Sequence, residues 1–372
     1  MLKGLIPGEQ RVITKADTHW QFGSIKNNIK EVDNLLHYGC FTLGFNRIDI
    51  IEHVCNKMKF VKPEIAESIT HNDNLKLNDV SFELSDKLFT MSEGYRSFYA
   101  LSGSDANEGA IKLSSAYHSL KNNKFQTRNK IVSFEGSYHG STFLNSNLGD
   151  LLMDNPLYTM KRYEKVIKLP RNFKITDIDW TTVMSIIVEP CSYGGDMRPN
   201  DVEFWEKLSD VQSQYDVLII IDDIFTGGGK TGNYFGWRNL PIKPDIATMG
   251  KAITGGYFPL SITLYNEKIH NILPKKFNWD HGYTYNFSLA GINSALKYIN
   301  ILEKEDILKK FDYIQSTAIS TIESSGFKIV NKFGCLYMIR NGNYQNLYMI
   351  PLNADEEYFN ILKQNLNSYD SY

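Results

Sequence analysis

Three observations predict an α/β fold built on a mostly parallel sheet, with a smaller α+β region behind it, for this chain of 372 residues. Residues 217–221, VLIII, form a short continuous apolar run. That is the pattern of a strand buried on both faces inside a parallel sheet, and it stops on two carboxylates, Asp222 and Asp223. A second short strand, 246–249, ends at Gly250-Lys251. A third, 97–101, runs into Ser102-Gly103-Ser104-Asp105-Ala106-Asn107-Glu108-Gly109, whose small and polar residues open a helix. Ligands of open α/β sheets sit beyond the carboxyl ends of the strands, so these three strand ends mark one functional rim.

In chain order, residues 1–45 hold Trp20-Gln21-Phe22 and a turn-rich stretch at 38–45. A helix is expected at 48–58. After the polar His71-Asn72-Asp73-Asn74 comes a second helix at 80–91. The helix opening at Gly103 carries Ala110, Ile111, Leu113 and Ala116 on its apolar positions, and Asp105 and Glu108 have the spacing of a capping box. Free backbone N–H groups at such a start make an anion site, so Gly103, Ser104 and Asp105 read either as a cradle or as an ordinary strand-to-helix turn. Strand 130–134 ends in Glu135-Gly136-Ser137-Tyr138-His139-Gly140, where Tyr138 reads as a stacking platform or as part of a loop cluster. Strand 185–188 runs into Glu189-Pro190; Glu189 either faces the site or pairs with an arginine such as Arg198 or Arg238. A glycine-rich turn, 227–232, follows Asp223, and Thr254-Gly255-Gly256-Tyr257 follows Lys251. Strand 260–264 closes the sheet region before Asp280-His281-Gly282-Tyr283-Thr284-Tyr285-Asn286. Helix 288–303 places Leu289, Ile292, Leu296 and Ile299 on one face and leads into the α+β region.

A formal charge of −2 and the lack of any basic run argue against a general nucleic-acid binder. Four cysteines stand far apart with no CxxC spacing, so reduced thiols in a cytoplasm are expected and a zinc site is not. The amino-terminal MLKGLIPGEQRV is too short and too polar for a signal peptide, and no segment approaches the roughly 18 apolar residues that span a membrane. With 42% hydrophobic residues the chain can bury a large core, and its length suits two domains.

An amine and a carboxylate on neighbouring strand ends meet the needs of a pyridoxal phosphate (PLP) site. The lysine forms a Schiff base with the cofactor aldehyde, and the aspartate keeps the pyridine nitrogen protonated. Asp222-Asp223-Ile224, the turn Gly227-Gly228-Gly229-Lys230-Thr231-Gly232, and Gly250-Lys251-Ala252 with Gly256-Tyr257-Phe258-Pro259-Leu260-Ser261 together resemble the signature of the class III, or ω-amino, aminotransferases of fold type I. The resemblance implies a large domain with a mostly parallel seven-stranded sheet at 46–280, an amino-terminal segment, 1–45, joining the small domain, and a carboxy-terminal small domain at 281–372. It implies Lys251 and Asp222 as the catalytic pair, and Gly103, Ser104 and Asp105 as the cradle of the PLP phosphate. Tyr138 and Ile224 would lie on opposite faces of the ring, Glu189 near its phenolic side or the substrate, and Thr284 on the phosphate of a partner's cofactor across a homodimer interface.

The implied reaction moves an amino group from an amine donor, an ω-amino acid, a diamine or an S-adenosylmethionine-like compound, to a carbonyl acceptor. The run 251–260 is closest in appearance to the 7,8-diaminopelargonic acid synthases of biotin synthesis. A glutamate-1-semialdehyde-type aminomutase, or a shortened relative that binds PLP without turnover, are the alternatives. Family members usually carry a few tens of further residues at the amino end. This chain departs from the pattern at Asp223, where relatives have Glu, at Lys230, where they have Arg, and at Phe225, where Gln, Met or Ala is frequent. A Gln there can reach the cofactor's phenolic oxygen; Phe cannot.

Overall fold

The computed structural model describes residues 18–26, 28–59, 79–122, 127–150, 163–192, 197–274 and 281–369; His71 to Asn74 and Asp280 lie outside them. A seven-stranded sheet runs in the order Arg96–Ala100, Ser261–Tyr265, Ile246–Met249, Leu218–Asp222, Val183–Val188, Lys130–Phe134, Val166–Leu169. The last five are mutually parallel. Ser261–Tyr265 is antiparallel to both its neighbours, so Arg96–Ala100 points the same way as the five. Six strands therefore deliver their carboxyl ends to one rim.

The continuous apolar runs are explained by two cores. Leu218 and Ile220 pack on one side of the sheet with Ala110, Ile111 and Tyr117 of the helix Gly103–Asn122. Ile219 and Ile221 face the other side, with Leu208, Leu296 and Trp205. A strand buried on both faces has no polar positions to alternate, which is why LIIID and VMSIIV are buried throughout.

The described residues also form two small antiparallel sheets: Thr18–Trp20, Gly23–Lys26 and Ile29–Val32 near the amino end, and Lys328–Phe333, Leu336–Asn341 and Tyr344–Met349 near the carboxyl end. They meet each other. Asn34 Nδ2 donates to Leu347 O at 3.1 Å, Met349 N to Asn34 O at 2.7 Å, and Val32 N to Asn365 Oδ1 of the last helix at 2.8 Å.

Some boundaries differ from the sequence expectation for local reasons. The Asp222 strand takes in Asp222 itself. The helix expected from 288 begins at Leu289 because Ser288 is its cap, accepting from Gly291 N. The capping box at the Gly103 helix is Ser102 with Asp105, not Asp105 with Glu108. Asp105 N donates to Ser102 Oγ and the Asp105 carboxylate accepts from Ser102 N, while Glu108 is taken by Thr142 Oγ1. No helix of the described residues is long and apolar enough to cross a membrane.

Candidate active site

At the rim, the ends of neighbouring parallel strands bring Asp222 and Lys251 to one cavity of about 150 Å³, lined also by Gly103, Ser104, Tyr138, His139, Gly140, Glu189, Ile224 and Phe225. Asp222 closes its strand. Lys251 lies two residues past the end of the next, in the left-handed region at φ 52°, a conformation few side chains other than glycine adopt without cost. Its amine lies 4.5 Å from the centre of the Phe225 ring. Burial holds the Lys251 amine below its ordinary proton affinity, against the opposing pull of Cys40, Asp222 and Glu189.

Asp222 is almost fully buried and every contact to it is directed. Oδ2 accepts from Asn107 Nδ2 and from His139 Nδ1, both at 2.8 Å, and Oδ1 accepts from Ile224 N at 3.2 Å. The opposite wall is the start of the Gly103 helix, where a Cβ on Gly103 would stand 2.7 Å from Ile224 Cδ1. Gly140 sits at φ 115°, and a Cβ there would come within 2.1 Å of Ser104 Oγ. Both positions need the missing side chain so that helix start and loop can close on each other. Glu189 Oε2 accepts from Tyr138 N at 3.0 Å, which joins the end of its own strand to the Tyr138 loop.

Of the residues singled out from sequence, Gly103, Ser104, Tyr138, Glu189, Asp222, Ile224 and Lys251 line the cavity together; two do not. Asp105 turns its carboxylate back onto Ser102 N and Oγ, so it closes the capping box instead. Thr284 is exposed in a turn that His281 ties to the Gly103 helix through Asp105 O at 3.0 Å. Of the two arginines considered for Glu189, Arg238 pairs with Glu93 at 3.0 Å, and Arg198 borders a separate cleft with Arg171 and Lys207. Trp20 and Tyr348 are buried and do not line the cavity. The sequence assigned no site role to Asn107, His139 or Thr248. The available signal was a polar side chain inside otherwise apolar packing, which single-residue reading does not register.

Behind the site, Asp223 is fully buried and accepts from Thr226 Oγ1 and from Gly236 N at 2.7 Å; burial pushes its carboxyl up to about 7. Lys230 is also fully buried, donates to Gly227 O at 2.7 Å and Gly39 O at 3.3 Å, and is pushed down to about 8 by burial. Its own carbonyl accepts from Cys335 N at 2.8 Å. The turn 227–232 thereby connects the rim to the amino-end segment at Gly39 and, through Cys335, to the carboxyl-end sheet.

Comparison with known proteins adds the family. The model of the family described as aminotransferase class-III matches residues 24–332. An uncharacterized aminotransferase of Sinorhizobium fredii is 29% identical over 305 residues, covering 74% of this chain and 64% of the relative. An adenosylmethionine-8-amino-7-oxononanoate aminotransferase of Staphylococcus aureus is 28% identical over 289 residues, 70% of this chain and again 64% of the relative. Among solved structures, a transaminase of the marine bacterium Virgibacillus superposes with a TM-score of 0.81 at 19% identity, covering 94% of this chain and 91% of that one.

Proposed function

This chain belongs to the class-III aminotransferases, a PLP-dependent family, and we propose that it transfers an amino group from an amine donor to a carbonyl acceptor. The observation that carries the reading is the meeting of Lys251 and Asp222 in one cavity, from adjacent strand ends.

The residues present suit PLP. A helix start at Gly103 and Ser104 offers backbone N–H groups to a phosphate, and Gly140 keeps that corner free of a Cβ. Tyr138 and Ile224 supply surfaces for a planar ring, and Asp222 supplies a buried carboxylate for a ring nitrogen. When bound, PLP supplies an aldehyde that accepts the amino group and a ring that withdraws electrons from the substrate carbon. Lys251 Nζ is the group that takes a proton from that carbon and returns one. Its lowered proton affinity leaves more neutral amine near neutral pH, as a base in this position requires. Asp222 holds the proton on the ring nitrogen by opposite charge. Phe225 lies under the lysine amine, so on this side the cavity offers a ring face and no hydrogen-bond donor.

The donor belongs to the ω-amino acid, diamine or S-adenosylmethionine-like compounds, and diaminopelargonate synthesis is the finer reading; the Staphylococcus relative supports it by its name alone. Two copies share the site, with Thr284 of each reaching the other's phosphate, and the chain divides into 1–45, 46–280 and 281–372. Stopped-flow absorbance of PLP-loaded protein mixed with a panel of amines and ω-amino acids tests the reaction. A rapid spectral change with at least one donor, reversed by a keto acid, is expected; silence toward every donor, with cofactor bound, would make the chain a PLP binder without turnover.

A further inference from the structure

Asp222 is held by a chain of buried polar groups that the proposed reaction does not itself use. Asn107 Nδ2 donates to Asp222 Oδ2 at 2.8 Å and to His139 O at 2.9 Å, and Asn107 Oδ1 accepts from Thr248 Oγ1 at 2.7 Å. The amide orientation is fixed by its partners, since a carboxylate and a carbonyl only accept and therefore require the NH₂ side. His139 Nδ1 must carry its hydrogen for the same reason, because it faces Asp222 Oδ2. Asn107 and Thr248 have no exposed surface, and His139 has 1%. His139 Nε2 is buried without a hydrogen-bond partner, so Nδ1 is the ring atom through which this side chain is held.

From this geometry we infer that Asn107, oriented by Thr248, and His139 are positioning residues that saturate Asp222 Oδ2 and turn the remaining lone pair of Oδ1 toward the cavity. A carboxylate offers about four acceptor positions. Two on Oδ2 are taken by Asn107 and His139, and one on Oδ1 by Ile224 N, which leaves one. Asn107 joins four pieces of the fold at this point: its own helix, the Thr248 strand, the Asp222 strand and the His139 loop. A carboxylate free to rotate would present either oxygen, or a bisected edge, to a ring nitrogen; this one has a single outward direction. The inference rests on the PLP reading for its consequence, although the network itself can be examined without cofactor.

The test has two arms. In cofactor-free protein carrying ¹⁵N-labelled histidine, the His139 Nδ1 proton is expected to exchange slowly, and Asp222→Ala to speed its exchange at least about tenfold, the loss of one charge-assisted hydrogen bond. Rapid exchange in the unaltered protein overturns the network whatever the cofactor does. In PLP-loaded protein with a ¹⁵N-labelled pyridine ring, Asn107→Ala is expected to keep one cofactor per chain while the ring-nitrogen resonance moves toward the unprotonated position. The first half-reaction should slow roughly 10- to 100-fold. Thr248→Ser, which keeps the hydroxyl, should behave as the unaltered protein, and Thr248→Val should follow Asn107→Ala in milder form. A ring nitrogen as fully protonated in Asn107→Ala as in the parent, or Ser and Val variants that behave alike, overturns the positioning role. Should the unaltered protein take up no PLP, the functional reading fails, and the exchange arm still decides the network.

Discussion

At the scale of single residues, the site depends on where a side chain is absent as much as on where one is present. Gly140 occupies a left-handed conformation against Ser104, and the added methyl of Gly140→Ala would stand 2.1 Å from Ser104 Oγ. The backbone strain alone is of order 1–3 kcal/mol. The variant is expected to unfold at lower urea concentration and to hold PLP less tightly; an unchanged midpoint together with unchanged affinity would remove Gly140 from the phosphate corner. Asp222→Asn keeps the shape of the side chain and loses its charge, so the cofactor should still bind while the first half-reaction slows about 10²-fold or more, measured by stopped flow. An Asn variant as fast as the parent would mean that the ring proton is held by something else. Asp222 and Lys251 were legible in the sequence because one closes a short apolar strand and the other follows the next by two residues. Asn107 was not, because what matters about it is three partners distant in sequence.

At the scale of elements, the strands were readable and their order was not. A run such as LIIID is buried on both faces whichever way its neighbours point. The insertion of Ser261–Tyr265 antiparallel between Arg96–Ala100 and Ile246–Met249 therefore leaves no trace in periodicity. The helix start at Gly103 was legible as a turn of small residues, but its capping partner was misassigned: two acids at suitable spacing competed, and Thr142, 34 residues away, engages Glu108. The turn after Asp222 carries a pH prediction. Asp223 titrates at about 7 in the fold, raised by burial from an ordinary value of 3.8. Between these values the folded chain binds more protons than the unfolded chain, so this carboxyl's contribution to stability is present below the lower value and is lost as pH rises through the higher. The stability of the parent relative to Asp223→Asn, from urea unfolding of both, should therefore fall between pH 4 and pH 7. A relative stability that rises over that interval would contradict the burial argument.

At the scale of the whole molecule, one chain presents Thr284 to solvent and leaves it outside its own cavity. The shared-site proposal turns this into a complementation experiment. Thr284→Val alone should weaken PLP binding roughly 10- to 100-fold, the worth of one hydrogen bond to a charged group. Mixing it with Lys251→Ala chains should regenerate one native site per heterodimer, made of the lysine of one chain and the threonine of the other. Absence of rescue in a mixture that has exchanged subunits would place Thr284 outside the site altogether.

The central claim is that Lys251 carries the cofactor at the strand end beside Asp222. Reconstitution with PLP, borohydride reduction and peptide mapping by mass spectrometry tests it most directly. One phosphopyridoxyl group per chain, on Lys251, is the expected result; reduction that labels Lys230 or scattered surface lysines and leaves Lys251 unmodified would contradict it.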